Sequence, residues 1–220
     1  MWQHDYSLID RMLHRLAFAS WPIQTALADM EQAIFKKRLA SVAVERPVFV
    51  AGLPRAGSTL VLRLIEATGE YASYQYRDMP FLLCPMTWNA FTRSAQRSVE
   101  VRERAHGDGI DVGIESPEAF EEVVWRTFWP KRYEAGRIRP WGKAEDPEFD
   151  AFFRQQMRKV IAIRQDDRPS ATRYLSKCNG NIARLNVIAR MFPDAALIVP
   201  YRHPLSQAQS LLTQHLGFLE

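Results

Sequence analysis

The sequence predicts a three-layer α/β sandwich around a parallel sheet, and three stretches carry that reading. Val48 to Ala51 is a short apolar run rich in β-branched and aromatic residues; a Gly-Leu-Pro-Arg-Ala-Gly turn follows, then a helix from Ser58 with Leu60, Leu64 and Ile65 on one side. Arg173 to Ser176 reads as another strand, with Lys177 at its C-terminal end. Ala195 to Tyr201, AALIVPY, reads as a third; Arg202-His203-Pro204 ends it, and a helix opens with proline in its first turn, where the missing N–H costs nothing. Short apolar strands alternating with helices imply a parallel sheet covered on both faces, although periodicity does not give the strand order.

The remaining elements follow in order. Tyr6, Ile9, Leu13 and Leu16 fall at helical spacing, and after Trp21-Pro22 so do Ile23, Leu27, Met30 and Ile34. Residues 1–44 therefore read as a helical hairpin, packed on the α/β domain of residues 45–220 or used in a homo-oligomer contact. Tyr71 to Tyr76 is aromatic enough for a strand. Residues 93–116 are polar and glycine-punctuated, which predicts a mobile loop, with His106 inside it as a minor proton-acceptor candidate. Ser116-Pro117 predicts an N-cap and first helical position, opening a helix through Glu118, Phe120 and Val124. Trp125, Phe128, Trp129, Tyr133 and Trp141 are either core edge or a wall for an aromatic or sugar acceptor. Asp146-Pro147 opens a long helix whose Phe149, Phe152, Phe153, Met157, Val160 and Ile161 form a core stripe.

Composition excludes some functions. The chain has 220 residues, 47% of them hydrophobic, and a formal net charge of +4, enough for a sizeable core and compatible with an anionic ligand. The basic residues are dispersed with no nucleic-acid-binding signature, so no nucleic acid partner is expected. Cys84 and Cys178 give neither a disulfide framework nor metal spacing. No signal peptide and no membrane span is read in the chain, and a reducing, cytoplasmic setting is the expectation.

The chemistry concentrates in Gly52 to Thr59. A strand, a glycine turn and a helix start aim backbone N–H groups at one anion, and the helix dipole favours negative charge there. Gly52-Leu53-Pro54-Arg55-Ala56-Gly57-Ser58-Thr59 has the outer spacing of a Walker A loop, but Ser58 stands where the lysine belongs. The cation lies inside the turn instead, at Arg55, whose fork can hold an oxyanion bidentately. Downstream, Arg202 at a strand end and Ser206 and Ser210 on one face of the next helix make a second candidate anion site.

Together these motifs resemble the sulfotransferases that use 3'-phosphoadenosine 5'-phosphosulfate (PAPS), in their bacterial and tyrosylprotein branch. Pro54-Arg55-Ala56-Gly57-Ser58-Thr59 is similar to that family's 5'-phosphosulfate loop. Arg202-His203-Pro204, with Ser210 eight residues after the arginine, is similar to its 3'-phosphate motif, where aspartate is commoner than His203. Tyr174-Leu175-Ser176-Lys177, then Ile182 to Leu185 and Met191 to Ala195, resembles the run joining the two. The resemblance spans residues 45–215 and implies a P-loop nucleotide-binding fold. It also implies PAPS as cosubstrate with no metal, and sulfuryl transfer to a small-molecule, glycan, lipid or protein-tyrosine hydroxyl. Pro54 to Thr59, Arg202 and Ser210 would bind the nucleotide, and Arg55 and Lys177 would stabilise the transferring group. A Glu-Glu-Thr-Arg segment supplies the base in tyrosylprotein-type members; Tyr74 and Gln75 stand in place of the glutamates, and Asp78 is the nearest carboxylate. Salt bridging or helix capping is the competing role for Asp78. The family continues beyond the helix bearing Ser210, so a compact member and a chain lacking its C-terminal part are both open. The alternatives in function are a noncatalytic domain binding PAPS or adenosine-3',5'-bisphosphate (PAP), and a P-loop kinase.

Overall fold

A computed structural model describes residues 21–92, 102–103, 111–112, 115–133 and 139–217. Helices α1 (Trp21–Ile34) and α2 (Lys36–Ala40) precede β1 (Val48–Val50), α3 (Ser58–Glu66), β2 (Tyr71–Ala72) and α4 (Pro85–Thr92). The strands β3 (Arg102–Glu103) and β4 (Asp111–Val112) pair antiparallel, within the stretch expected to be loop. Helices α5 (Glu121–Phe128) and α6 (Pro147–Gln165), strand β5 (Arg173–Lys177), helix α7 (Leu185–Met191), strand β6 (Ala196–Ile198) and helix α8 (Pro204–Gly217) complete the order. The first expected helix and His106 lie outside the described residues. No described helix is long and apolar enough to cross a membrane.

Strands β2, β5, β1 and β6 form one parallel sheet in that order. Alternation along the strands divides its two faces. Phe49 and Tyr174 point to the α6 side, where Phe49 meets Phe153, Tyr174 and Phe192 with ring centroids 6.4, 6.1 and 5.6 Å apart. Val48, Val50 and Leu175 point the other way and bury Leu62 of α3. Both faces being covered makes the α/β sandwich three-layered, as its apolar strands require. Helix α6 is the largest single piece of core. The Asp146 side chain caps it, accepting from the Glu148 and Phe149 N–H groups at 3.1 Å, and the expected apolar stripe is buried. The aromatic cluster takes the core option: Trp125 is fully buried and packs on Trp141, Phe149 and Phe153. Losing a ring such as Phe153 would cost about 3–5 kcal/mol.

Two local expectations are corrected. Helix α1 forms, but Ile23, Met30 and Ile34 are exposed while Ala28 and Glu31 are buried. The fully buried Lys159 ammonium sets this rotation: it meets Glu31 at 3.1 Å and donates to the Ala28 carbonyl at 2.8 Å. An unpaired buried charge costs several kcal/mol, more than leaving scattered apolar side chains in water. Ser116-Pro117 does not cap a helix either. Pro117 forms an antiparallel bridge with Gln75, and α5 starts only at Glu121.

Candidate active site

Val50, the last residue of β1, lies in register with Lys177 on one side and Ile198 on the other. The chain leaving β1 therefore emerges between the ends of β5 and β6, beyond the C-terminal edge of the sheet, where open α/β sheets hold their ligands. The Ala51 N–H donates to the Ile198 carbonyl at 2.8 Å, and the Cys178 N–H to the Val50 carbonyl at 3.1 Å. Gly52 passes close to β6's exit, since a Cβ there would lie 3.3 Å from Pro200 Cδ.

The loop then turns tightly. The Ala56 N–H donates to the Leu53 carbonyl at 3.3 Å, with Pro54 first inside the turn and Arg55 second, at φ 67°. Proline followed by a positive φ is what a type II turn requires. Gly57, at φ 87°, caps α3, and Ser58 and Thr59 are buried in that helix's first turn. The leading N–H groups of α3 have no intrahelical acceptor, so the loop ends in a row of donors.

Helix α8 closes on this loop. The Arg55 Nε donates to Ser210 Oγ at 2.9 Å, the Gln207 side-chain amide donates to the Pro54 carbonyl at 2.8 Å, and the exposed Arg202 guanidinium reaches the Arg55 carbonyl at 3.5 Å. Arg55, Arg202 and Ser210, three of the residues singled out by sequence, thus share one locus. Lys177 is brought to the same sheet end by its register with Val50. Among the described residues, no group of three His, Cys, Asp or Glu side chains could hold a metal ion.

Asp78 is buried. It is 1% exposed, accepts from the Gln75 N–H at 2.8 Å and is ion-paired with the equally buried Arg164. The expected base is therefore committed to a structural pair. Arg77, its neighbour in the chain, bridges Asp167 instead, at 2.6 Å. Instead, a carboxylate that sequence reasoning had placed in a helix meets the site: Glu118 Oε1 stands 3.8 Å from Lys177 Nζ. Tyr76 donates its hydroxyl to Glu118 Oε2 at 3.2 Å and packs edge-on against Phe120. Phe120 also lines an apolar cavity of about 430 Å³ with Leu27, Pro80 and Leu83.

Behind Lys177 lies a second polar network. Cys178 donates to Glu122, which also accepts from Arg184 at 2.8 Å and from Tyr133, while the Arg184 guanidinium stacks 4.2 Å over Trp125. Burial pushes the Cys178 thiol well above its ordinary range, so it is no nucleophile. Burial also opposes ionisation of Glu122, but the Arg184 charge and hydrogen bonds outweigh it and hold the carboxyl below the usual carboxylate range.

Two solved structures are similar to this chain. Sulfotransferase STF9 from Mycobacterium avium is 18% identical with a TM-score of 0.49, over 85% of this chain and 51% of that one. Sulfotransferase STF1 from Mycobacterium tuberculosis H37Rv is 16% identical with a TM-score of 0.43, over 89% of this chain and 54% of that one. The chain thus spans about half the length of each. No curated protein matches it. The sulfotransferase family profile, however, matches residues 47–219, which take in both candidate anion-binding segments, and the chain belongs to the sulfotransferase family.

Proposed function

We propose that this chain binds PAPS and transfers its sulfuryl group to a hydroxyl acceptor such as a glycan, phenol, lipid or protein tyrosine. The observation that carries this reading is the meeting of Arg55 and Ser210, which unites the two candidate anion sites. The fit to the nucleotide rests on this cradle: a positive-φ turn, the donors of α3, and Arg55, Arg202 and Ser210 around one loop. When bound, PAPS supplies an activated sulfuryl group on a phosphate leaving group.

The chain's own residues supply orientation and charge. Arg55 and the N–H groups from Gly57 to Thr59 hold the 5'-phosphate and receive the charge that develops on the leaving oxygen. Pro54 and Ala56 shape the turn that presents them. Arg202 and Ser210 hold the 3'-phosphate, and Lys177, at the end of β5, faces the sulfuryl oxygens. Donors fixed in advance around developing charge supply most of the catalysis in in-line group transfer.

Calorimetric titration of PAP into the purified chain tests this reading, with Arg55→Ala and Arg202→Ala alongside and ATP with Mg2+ as competitor. Micromolar binding lost in both variants is the expected result. Binding without turnover would make the chain a noncatalytic nucleotide-binding domain, and preference for ATP with Mg2+ would make it a kinase-like protein.

A further inference from the structure

Transfer to a hydroxyl needs a proton acceptor near the sulfuryl group, and burial sorts the candidates. Glu31, Asp78 and Glu121 are each 1–2% exposed, locked among core partners. Glu118 differs. Its stretch is pinned across the outgoing end of β2: the Tyr76 N–H donates to the Ser116 carbonyl at 3.3 Å and the Glu118 N–H to the Tyr74 carbonyl at 3.1 Å. That pairing delivers the carboxylate to the C-terminal end of β5, where the Glu118 and Lys177 side chains are 14% and 9% exposed. Both are covered, yet both remain within reach of a ligand at the surface.

We infer that Glu118 is the general base of the transfer, an inference that rests on the PAPS reading above. Its carboxylate is held by the Ala119 N–H at 2.8 Å, the Tyr76 hydroxyl at 3.2 Å and the Lys177 ammonium at 3.8 Å. The last distance exceeds that of a hydrogen bond, so one acceptor oxygen about 2.8 Å from each group can sit over the gap. An acceptor hydroxyl there donates to Glu118 while Lys177 faces the sulfuryl oxygens. Glu118 takes the hydroxyl proton as an oxygen lone pair forms the new O–S bond. The S–O bond to the 5'-phosphate breaks, and its electron pair leaves on the phosphate oxygen. The balance is hydroxyl plus PAPS giving sulfate ester, PAP and a proton that Glu118 passes to solvent.

The test measures PAP release from PAPS, with water alone and with added phenol as acceptor, beside PAP calorimetry. It compares the full wild-type chain with Glu118→Gln, Glu118→Ala and Glu118→Asp. Expected are PAP affinities within about threefold of one another, and turnover reduced about 100-fold or more in Glu118→Gln and Glu118→Ala. Glu118→Asp should be intermediate, and added formate should raise turnover of Glu118→Ala alone. Turnover of Glu118→Gln within about threefold of wild type overturns the assignment. So does loss of PAP binding in that variant, or absence of formate rescue, either of which reduces Glu118 to a support for Lys177. A wild-type chain that binds no PAP, or binds it without turnover, overturns the PAPS or transferase reading itself, and the base falls with it.

Discussion

Arg55 Nε donates to Ser210 Oγ at 2.9 Å, joining residues 155 positions apart in the chain. The contact seats α8 on the loop after β1, so the two candidate anion-binding segments form one unit rather than two independent sites. Ser210→Ala is expected to weaken PAP binding about 10- to 150-fold, the worth of one charge-assisted hydrogen bond. Because each residue positions the other, Ser210→Ala and Arg55→Lys, which keeps the charge but removes the Nε donor, should combine less than additively. A calorimetric double-mutant cycle measures that coupling, and strict additivity would show two uncoupled sites.

The turn at Arg55 stores backbone strain that a glycine would release. A non-glycine residue at φ 67° carries a conformational cost of about 1–2 kcal/mol, partly offset because glycine is more disordered when unfolded. Arg55→Gly should therefore melt within a few degrees of wild type, or above it, while losing PAP binding. Gly57→Ala should do the reverse to stability. Its new Cβ meets nothing within 4 Å, so the expected loss of about 1 kcal/mol comes from the left-handed backbone at φ 87° alone. Thermal melts of the two variants check the opposite signs.

How much of this was legible from the chain depended on how far each residue's partner lay. The strands ending at Val50 and Ile198 are apolar on both faces, Tyr174 and Leu175 supply the apolar part of the one ending at Lys177, and the loop after β1 carries its own turn signals, so sheet and cradle could be read locally. Asp146 caps α6 through N–H groups two and three residues on, which is local information too. Helix α1 was legible as a helix but not in its facing, because Glu31 answers to Lys159 on α6. Ser116-Pro117 carries the same local signal whether it caps a helix or bridges to Gln75, and only tertiary pairing decides. That ambiguity concealed Glu118. Asp78 drew notice as the carboxylate nearest Tyr74 and Gln75 in the chain, while the arginine that claims it is 86 residues away.

The Asp78 and Arg164 pair yields a prediction that separates structure from catalysis. Both side chains are 1% exposed, and Arg164 also donates to the Ser73 carbonyl at 3.0 Å. Removing one partner leaves a buried charge uncompensated, so Asp78→Asn should destabilise the chain by about 3–5 kcal/mol. Below the new melting transition the folded fraction should keep its PAP affinity and its turnover per folded molecule. Denaturant titration with activity normalised to the folded fraction checks this. A stable Asp78→Asn protein without turnover would return the base role to Asp78.

The network behind Lys177 should set the acid limit of stability. Burial disfavours the charged form of Glu122, yet the Arg184 guanidinium, with the hydrogen bonds from Cys178 and Tyr133, brings the folded value below the 4.5 of a free glutamate. A depressed carboxyl binds its proton more readily when unfolded. Its contribution is therefore fully present above about pH 4.5 and is lost as pH falls through the lower folded value. Glu122→Gln removes this term, so its stability should fall less steeply than wild type below about pH 4.5 while starting lower at neutral pH, where Arg184 is left unpaired. Urea denaturation at pH 7, 5 and 3.5 reads both effects. Parallel acid slopes in the two proteins would show that Glu122 titrates alike in the folded and unfolded chain.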